Sequence, residues 1–187
     1  MAYNQYLSRR RQNQSESDLV SVVQFDNSSR VDRTVNMQPI AHAPSGLSPH
    51  FGGTAFAPAA RDACSLARGT PSSHVHVVVF MSDGGTSDSA AAAGTFSTLN
   101  REIRTTSGID LELHGIAFGA GASTAQLAQI AGSSRNGKVH TSADTAELSD
   151  IFMDIAGEQD VARLMEAEIG KRISNAVTDK LSLEHLG

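Results

Sequence analysis

The sequence predicts an α/β fold, a doubly wound and mostly parallel sheet with helices on both faces. Three observations carry the prediction. From His74 onward, apolar runs of strand length alternate with segments whose apolar residues recur at spacings of three and four, the pattern that places a parallel sheet between helices. The run His74–Met81, HVHVVVFM, lacks the polar alternation of a half-solvated strand and implies burial on both faces. It stops abruptly at Ser82-Asp83-Gly84-Gly85, which puts a carboxylate at the carboxyl end of a strand, where open α/β sheets hold their ligand chemistry.

The elements follow in order. Residues 2–17 read as a polar helix with Tyr3, Tyr6 and Leu7 as a thin apolar stripe, and Arg9-Arg10-Arg11 as its solvated basic face. Leu19–Asp26, LVSVVQFD, is β-branched and strand-like, and Arg30–Met37 alternates as an edge strand would. Asp26-Asn27-Ser28-Ser29 between them is a turn signal, so the pair is expected to form a hairpin. Residues 38–53 hold three prolines and form a long loop. Ala55–Ala67 is an alanine-rich helix. Ser87–Ser107 is a helix with Phe96, Leu99 and Ile103 on one face, and Ile109–Phe118 is a long strand. Ser123–Ala131 is a short helix, Lys138–Thr141 a short strand, and Thr145–Ala156 a helix with Leu148, Ile151, Phe152 and Ile155 aligned. From Glu158 a helical stripe through Val161, Leu164, Met165, Ile169, Ile173 and Val177 continues to about Leu181. The expected organisation is a domain over 1–157 and an amphipathic helical extension over 158–187, which either packs on the domain or serves oligomerisation.

Composition narrows the function classes. With 187 residues, 40% hydrophobic and 19% charged, the chain is long enough for one globular domain with a full core. A net charge of −5 gives no electrostatic support to nucleic-acid binding. The single cysteine, Cys64, excludes an internal disulfide and a thiolate-rich zinc site, and among alanines on a helix it reads as a small buried hydrophobe. No segment reaches the roughly 18 apolar residues of a membrane span. The N-terminus, MAYNQYLSRRRQNQ, lacks the apolar core of a secretory signal, so a cytoplasmic location is expected.

Several residues compete for chemistry. Thr54, after Gly52-Gly53 at a helix start, and Asp83 together read as part of a divalent-metal site, although Thr54 also suits a helix N-cap and Asp83 a turn. Asp88 suits the charge favoured at the N-terminus of the following helix. Gly119-Ala120-Gly121-Ala122-Ser123-Thr124 leaves a strand and opens a helix, close to a dinucleotide fingerprint, with Asp144 as the ribose acid. His74 and His76 share a strand face but have no third ligand at readable spacing, and His114 and His140 read as packing residues. No nucleophile, base and acid set can be assembled, so no enzymatic activity is expected.

The order of these segments resembles the von Willebrand factor A domain. DLVSVVQFDNSSRV is similar to that family's second strand and hairpin, FGGTAFAPAARDA to its second metal loop, VVVFMSDGGTSD to its fourth strand and third metal loop, and LELHGIAFGAGASTAQLAQIAGSSRNGKVHTSADTAELSDIF to its C-terminal half. The resemblance covers about residues 2–156 and implies a Rossmann-like fold. It also implies a metal-ion-dependent adhesion site for Mg²⁺, Mn²⁺ or Ca²⁺ at the top of the sheet. Thr54 matches that site's threonine and Asp83 its aspartate. A protein partner presenting an acidic residue would complete the ion's shell.

The sequence departs from the family at the first loop, because it contains no Asp-x-Ser-x-Ser. The resemblance implies that it starts within the first helix, without the first strand that would lie between the second and fourth. That leaves an interior gap, closed by direct strand pairing or by a strand from another chain. Thr54 and Asp83 alone cannot hold Mg²⁺ tightly. The expected function is therefore a non-enzymatic interaction module with a degenerate site and weak metal binding or none. The alternatives are a nucleotide-binding enzyme using Gly119 and Gly121, and a structural remnant that self-associates through the open sheet or the C-terminal helix.

Overall fold

The computed structural model of the chain describes residues 2–13, 18–47, 52–71 and 73–158, together with Met165, Glu168 and Arg172. The expected extension over 158–187 lies almost wholly outside these residues.

Three parallel strands form the centre: β5 (Val77–Ser82), β6 (Glu112–Phe118) and β7 (Asn136–Ser142), in the order β5-β6-β7. Helices α2 (Phe56–Gly69), α3 (Ser89–Ser107) and α4 (Thr124–Ala131) cover one face. Helix α1 (Ala2–Gln12) and helix α5, residues 145–158, contribute to the cluster on the other. The alternation of side chains along each strand sorts the two cores. Val78 and Phe80 of β5 and Leu113 and Ala117 of β6 face α2–α4, whereas Val77, Val79, Ile116 and Phe118 face α1 and α5.

The first core is organised around aromatic rings. Phe80 stacks on Phe25 with centroids 5.2 Å apart and meets Phe56 and Phe96 edge-on at 5.2 and 5.8 Å. Cys64 is fully buried here, and burial pushes its thiol pKa up to about 11, so it is protonated near neutral pH and inert as a nucleophile.

The N-terminal third departs from the sequence expectation. The strand expected over Leu19–Asp26 divides into β1 (Leu19–Val20), which pairs with β4 (Gln38–Pro39), and β2 (Val23–Phe25), which pairs with β3 (Ser29–Val31). The hairpin turn is as expected: the Asp26 carboxylate accepts from the N–H and hydroxyl of Ser28 at 2.8 and 3.0 Å. The strand expected over Arg30–Met37 ends at Val31 because Asp32 makes the same turn, accepting from the N–H and hydroxyl of Thr34 at 2.9 and 2.6 Å.

The expected solvated basic face on α1 is also corrected. Arg10 lies on the same side of the helix as buried Leu7 and is only 4% exposed. It forms an ion pair with Asp18 and donates to the Ala156 carbonyl, while Arg11 donates to the carbonyls of Ile40 (2.9 Å) and Ala43. These side chains fasten α1 to the end of α5 and to the loop after β4.

The third correction concerns position: β5 packs on both faces, through Val78 and Phe80 on one and Val77 and Val79 on the other, but it is not the central strand. Strand β5 is an edge strand: among the described residues it pairs with β6 only, Val77–Val79 are half-buried, and Met81 is 39% exposed. Direct pairing of β2 with β5, one of the expected ways of closing the gap, does not occur.

Replacing Phe80 with Ala is expected to remove the hub of the aromatic core and to destabilise the domain by about 3–5 kcal/mol in denaturant unfolding. Replacing exposed Met81 with Ala should change stability by less than about 0.5 kcal/mol. Equal effects of the two would contradict this assignment of inside and outside.

Candidate functional site

The loops at the carboxyl ends of β2 and β5, together with those that lead into α2 and α4, meet at one end of the molecule. Strand β5 ends in buried Ser82, whose hydroxyl accepts from the Gly84 N–H at 3.2 Å, and leaves Asp83 exposed. A Cβ on Gly84 would stand 2.8 Å from the Thr54 hydroxyl oxygen, so Thr54 packs directly on the residue after Asp83. The sequence-predicted pair is thus on adjoining loops. Asp26, at the end of β2, adds its backbone carbonyl, which accepts from Ala55 N–H at 2.7 Å, and its side chain lies against Gly52.

Thr54 is not the helix cap. The N-cap position of α2 belongs to Ala55, which makes no side-chain bond, and the capping group comes from across the fold. Both oxygens of the Asp88 carboxylate accept from the start of α2, from Phe56 N–H and Ala57 N–H, each at 2.9 Å. The expected role of Asp88 at its own helix is therefore corrected. Its carbonyl begins α3, but its side chain makes no cap bond there and stabilises α2 instead. The Thr86 hydroxyl donates to it as well, at 2.6 Å. Burial pushes the Asp88 pKa up, but the bonds from Thr86, Ala57 and Phe56 outweigh it and hold the carboxyl below its ordinary 3.8.

The Gly119–Gly121 turn is accounted for by chain geometry. Gly119 has φ +75°, a left-handed conformation, and a Cβ on Gly121 would stand 2.9 Å from the Asp83 carbonyl oxygen. The turn lets this loop close on the loop carrying Asp83. The Gln126 amide then clasps the segment from α4, accepting from Thr86 N–H at 2.9 Å and donating to the Thr86 carbonyl.

Thr54 and Asp83 contribute two oxygens, where a hard divalent cation takes about six. Among the described residues, no trio of carboxylate, imidazole or thiolate groups converges at this end. Thr54 and Asp83 alone do not fit a firmly held Mg²⁺.

The opposite end of the sheet holds a cluster that the sequence reading missed. His114, fully buried on β6, has Nε2 2.8 Å from a Glu112 oxygen and Nδ1 3.0 Å from Nε2 of His140. The two imidazole rings stack at 5.3 Å. Glu158 of α5 and Lys138 of β7 complete the group, joined by a 2.6 Å ion pair. His114 and His140 are thus hydrogen-bonded polar residues rather than packing alone. The i, i+2 spacing of Glu112 and His114 was the available signal. His76, read as sharing a strand face with His74, bonds the Ala67 carbonyl at 3.0 Å.

Replacing Asp88 with Ala should destabilise the fold by about 1–2 kcal/mol, the usual range for a lost helix cap. The folded-state pKa is lowered, so this contribution is fully present above the unfolded value of 3.8 and is lost as pH falls through the folded one. Denaturation of both chains across that acid range should show the difference disappearing. A gap that persists at the lowest pH would contradict the charged cap.

The comparisons with known proteins agree with this architecture. The von Willebrand factor type A domain model matches residues 5–154. Two crystal structures of proximal thread matrix protein 1 from the mussel byssus share the fold. One superposes with a TM-score of 0.60 at 18% identity, covering 85% of this chain and 41% of that one. The other gives a TM-score of 0.56 at 19% identity, covering 82% and 40%. The chain thus spans about two fifths of the solved chains it resembles. No protein of curated function matches it. With four fifths of its residues within the matched region, the chain belongs to the von Willebrand factor type A domain family.

Proposed function

We propose that this chain is a non-enzymatic protein-interaction module whose recognition surface is the loop end bearing Thr54 and Asp83, a degenerate form of the family's metal-ion-dependent adhesion site. Domains of this family mediate protein–protein interaction and often bind divalent metal. The observation that carries the reading is the seating of Thr54 on Gly84, beside an exposed Asp83, at the carboxyl end of β5. It supports a site of the family's position with two of its oxygen donors. Bound Mg²⁺ or Mn²⁺ would offer a coordination position to a partner's acidic side chain. With two protein oxygens, the chain alone holds such an ion weakly or not at all.

A second reading draws on strand β5. Among the described residues its outer edge has no strand partner, and Val77–Val79 remain half-buried. Such an edge supports self-association by strand addition. Sedimentation at tens of micromolar separates the readings, because a clean monomer contradicts self-association and leaves the loop surface as the interaction site.

Replacing Asp83 with Ala is expected to change Mg²⁺ affinity less than about tenfold, equivalent to about 1.4 kcal/mol, in a calorimetric titration. A larger loss would mean that Asp83 belongs to a complete metal site and would overturn the degenerate assignment.

A further inference from the structure

We propose that Glu112, His114 and Glu158 form a binding site for a divalent transition ion of the zinc class, at the end of the sheet opposite Thr54 and Asp83. The ligand atoms of these three residues all lie within 4.8 Å of one another. Glu112 and His114 alternate on one face of β6, and Glu158 comes from the last turn of the described part of α5, the helix that packs over that face. Two different constraints therefore converge: strand register and helix packing.

The donor chemistry selects the ion. One imidazole nitrogen with two carboxylates suits a borderline ion such as Zn²⁺ or Co²⁺ better than Mg²⁺ or Ca²⁺, which take oxygen alone. The surroundings of His114 are those of a metal ligand. Its Nε2 faces the carboxylate, while its Nδ1 is held by His140 at 3.0 Å. When Nε2 binds an ion, Nδ1 carries the ring proton and donates it to His140 Nε2, which fixes the ring's tautomer and orientation. A surface pocket of about 310 Å³ lined by Glu112, Arg135, Asn136, Gly137, Lys138 and Glu158 opens beside the cluster and reaches its two carboxylates.

Lys138 is the competitor. Its ammonium bonds one Glu158 oxygen at 2.6 Å, but both side chains are nearly half exposed, where an ion pair is weak and exchanges with water. Metal binding displaces this ammonium and draws Glu158 inward.

Titration of the full chain with Co²⁺, followed by its visible absorption, and with Zn²⁺ by calorimetry tests the proposal. Saturable binding is expected at one site, weakened at least tenfold by E158Q and by E112Q and strengthened by K138A. D83A, at the other end of the sheet, should leave it unchanged, so this test stands apart from the proposed loop surface. E158Q alters an exposed side chain and retains the native circular dichroism, so the result does not depend on a His114 variant that fails to fold. Absence of saturable binding below about 1 mM, a free energy near −4.1 kcal/mol, overturns the proposal. So does binding that E112Q and E158Q both leave within tenfold of the native value.

Discussion

A parallel sheet has two apolar faces and cannot leave either to water. Strands β5, β6 and β7 meet that constraint unequally. Helices α2, α3 and α4 cover one face over the ring cluster around Phe80, while α1 and α5 pack on the other through Ala2, Tyr6, Leu148 and Ile155. Polar side chains gather toward the two ends of this covered sheet. Both clusters described above lie there, Thr54 and Asp83 at one end and Glu112, His114 and Glu158 at the other.

The loop end is held by bonds between elements rather than within them. Asp88 belongs to the segment after β5 yet caps α2, and Gln126 belongs to α4 yet clasps Thr86. Each bond satisfies a backbone group that would otherwise be stranded at an element's end. Together they tie α2, the Asp83 loop and α4 into one surface. Such a surface suits recognition, where a rigid scaffold presents loops to a partner. In the proposed reading, affinity for a partner rests chiefly on the loops themselves. Among the described residues no helix is long and apolar enough to cross a membrane.

The β6–α4–β7 region, α2 and α3 were legible because their signals are local. Apolar spacing sets α3 and α4, the run Val77–Val79 with Phe80 sets β5, and Leu113, Ile116 and Phe118 mark β6. Thr54 and Asp83 were legible as a pair of loop residues beside a strand end. What escaped depends on contacts distant in sequence. Arg10 reads as solvated until α1 is laid against α5 and Asp18 is brought to meet it. Asp88 reads as the cap of the helix it precedes, and only the packing of α2 beside α3 redirects its carboxylate. The break after Val31 comes from the polar turn at Asp32, which outweighs a favourable β pattern. His114 read as a packing residue because it falls on a strand, and strand position alone does not reveal that His140 and Glu112 bond both of its nitrogens.

The proposed recognition surface at the loop end does not depend on a firmly held metal ion. Thermal unfolding of the full chain, in several millimolar Mg²⁺ and again in chelator, tests it most directly, since a ligand that binds only the folded state must raise the midpoint. One cooperative transition at the same temperature in both solutions is expected. A midpoint raised by Mg²⁺ by more than about 2–4 °C, roughly 1 kcal/mol for a chain of this size, would contradict the claim and show that residues beyond Thr54 and Asp83 complete the site.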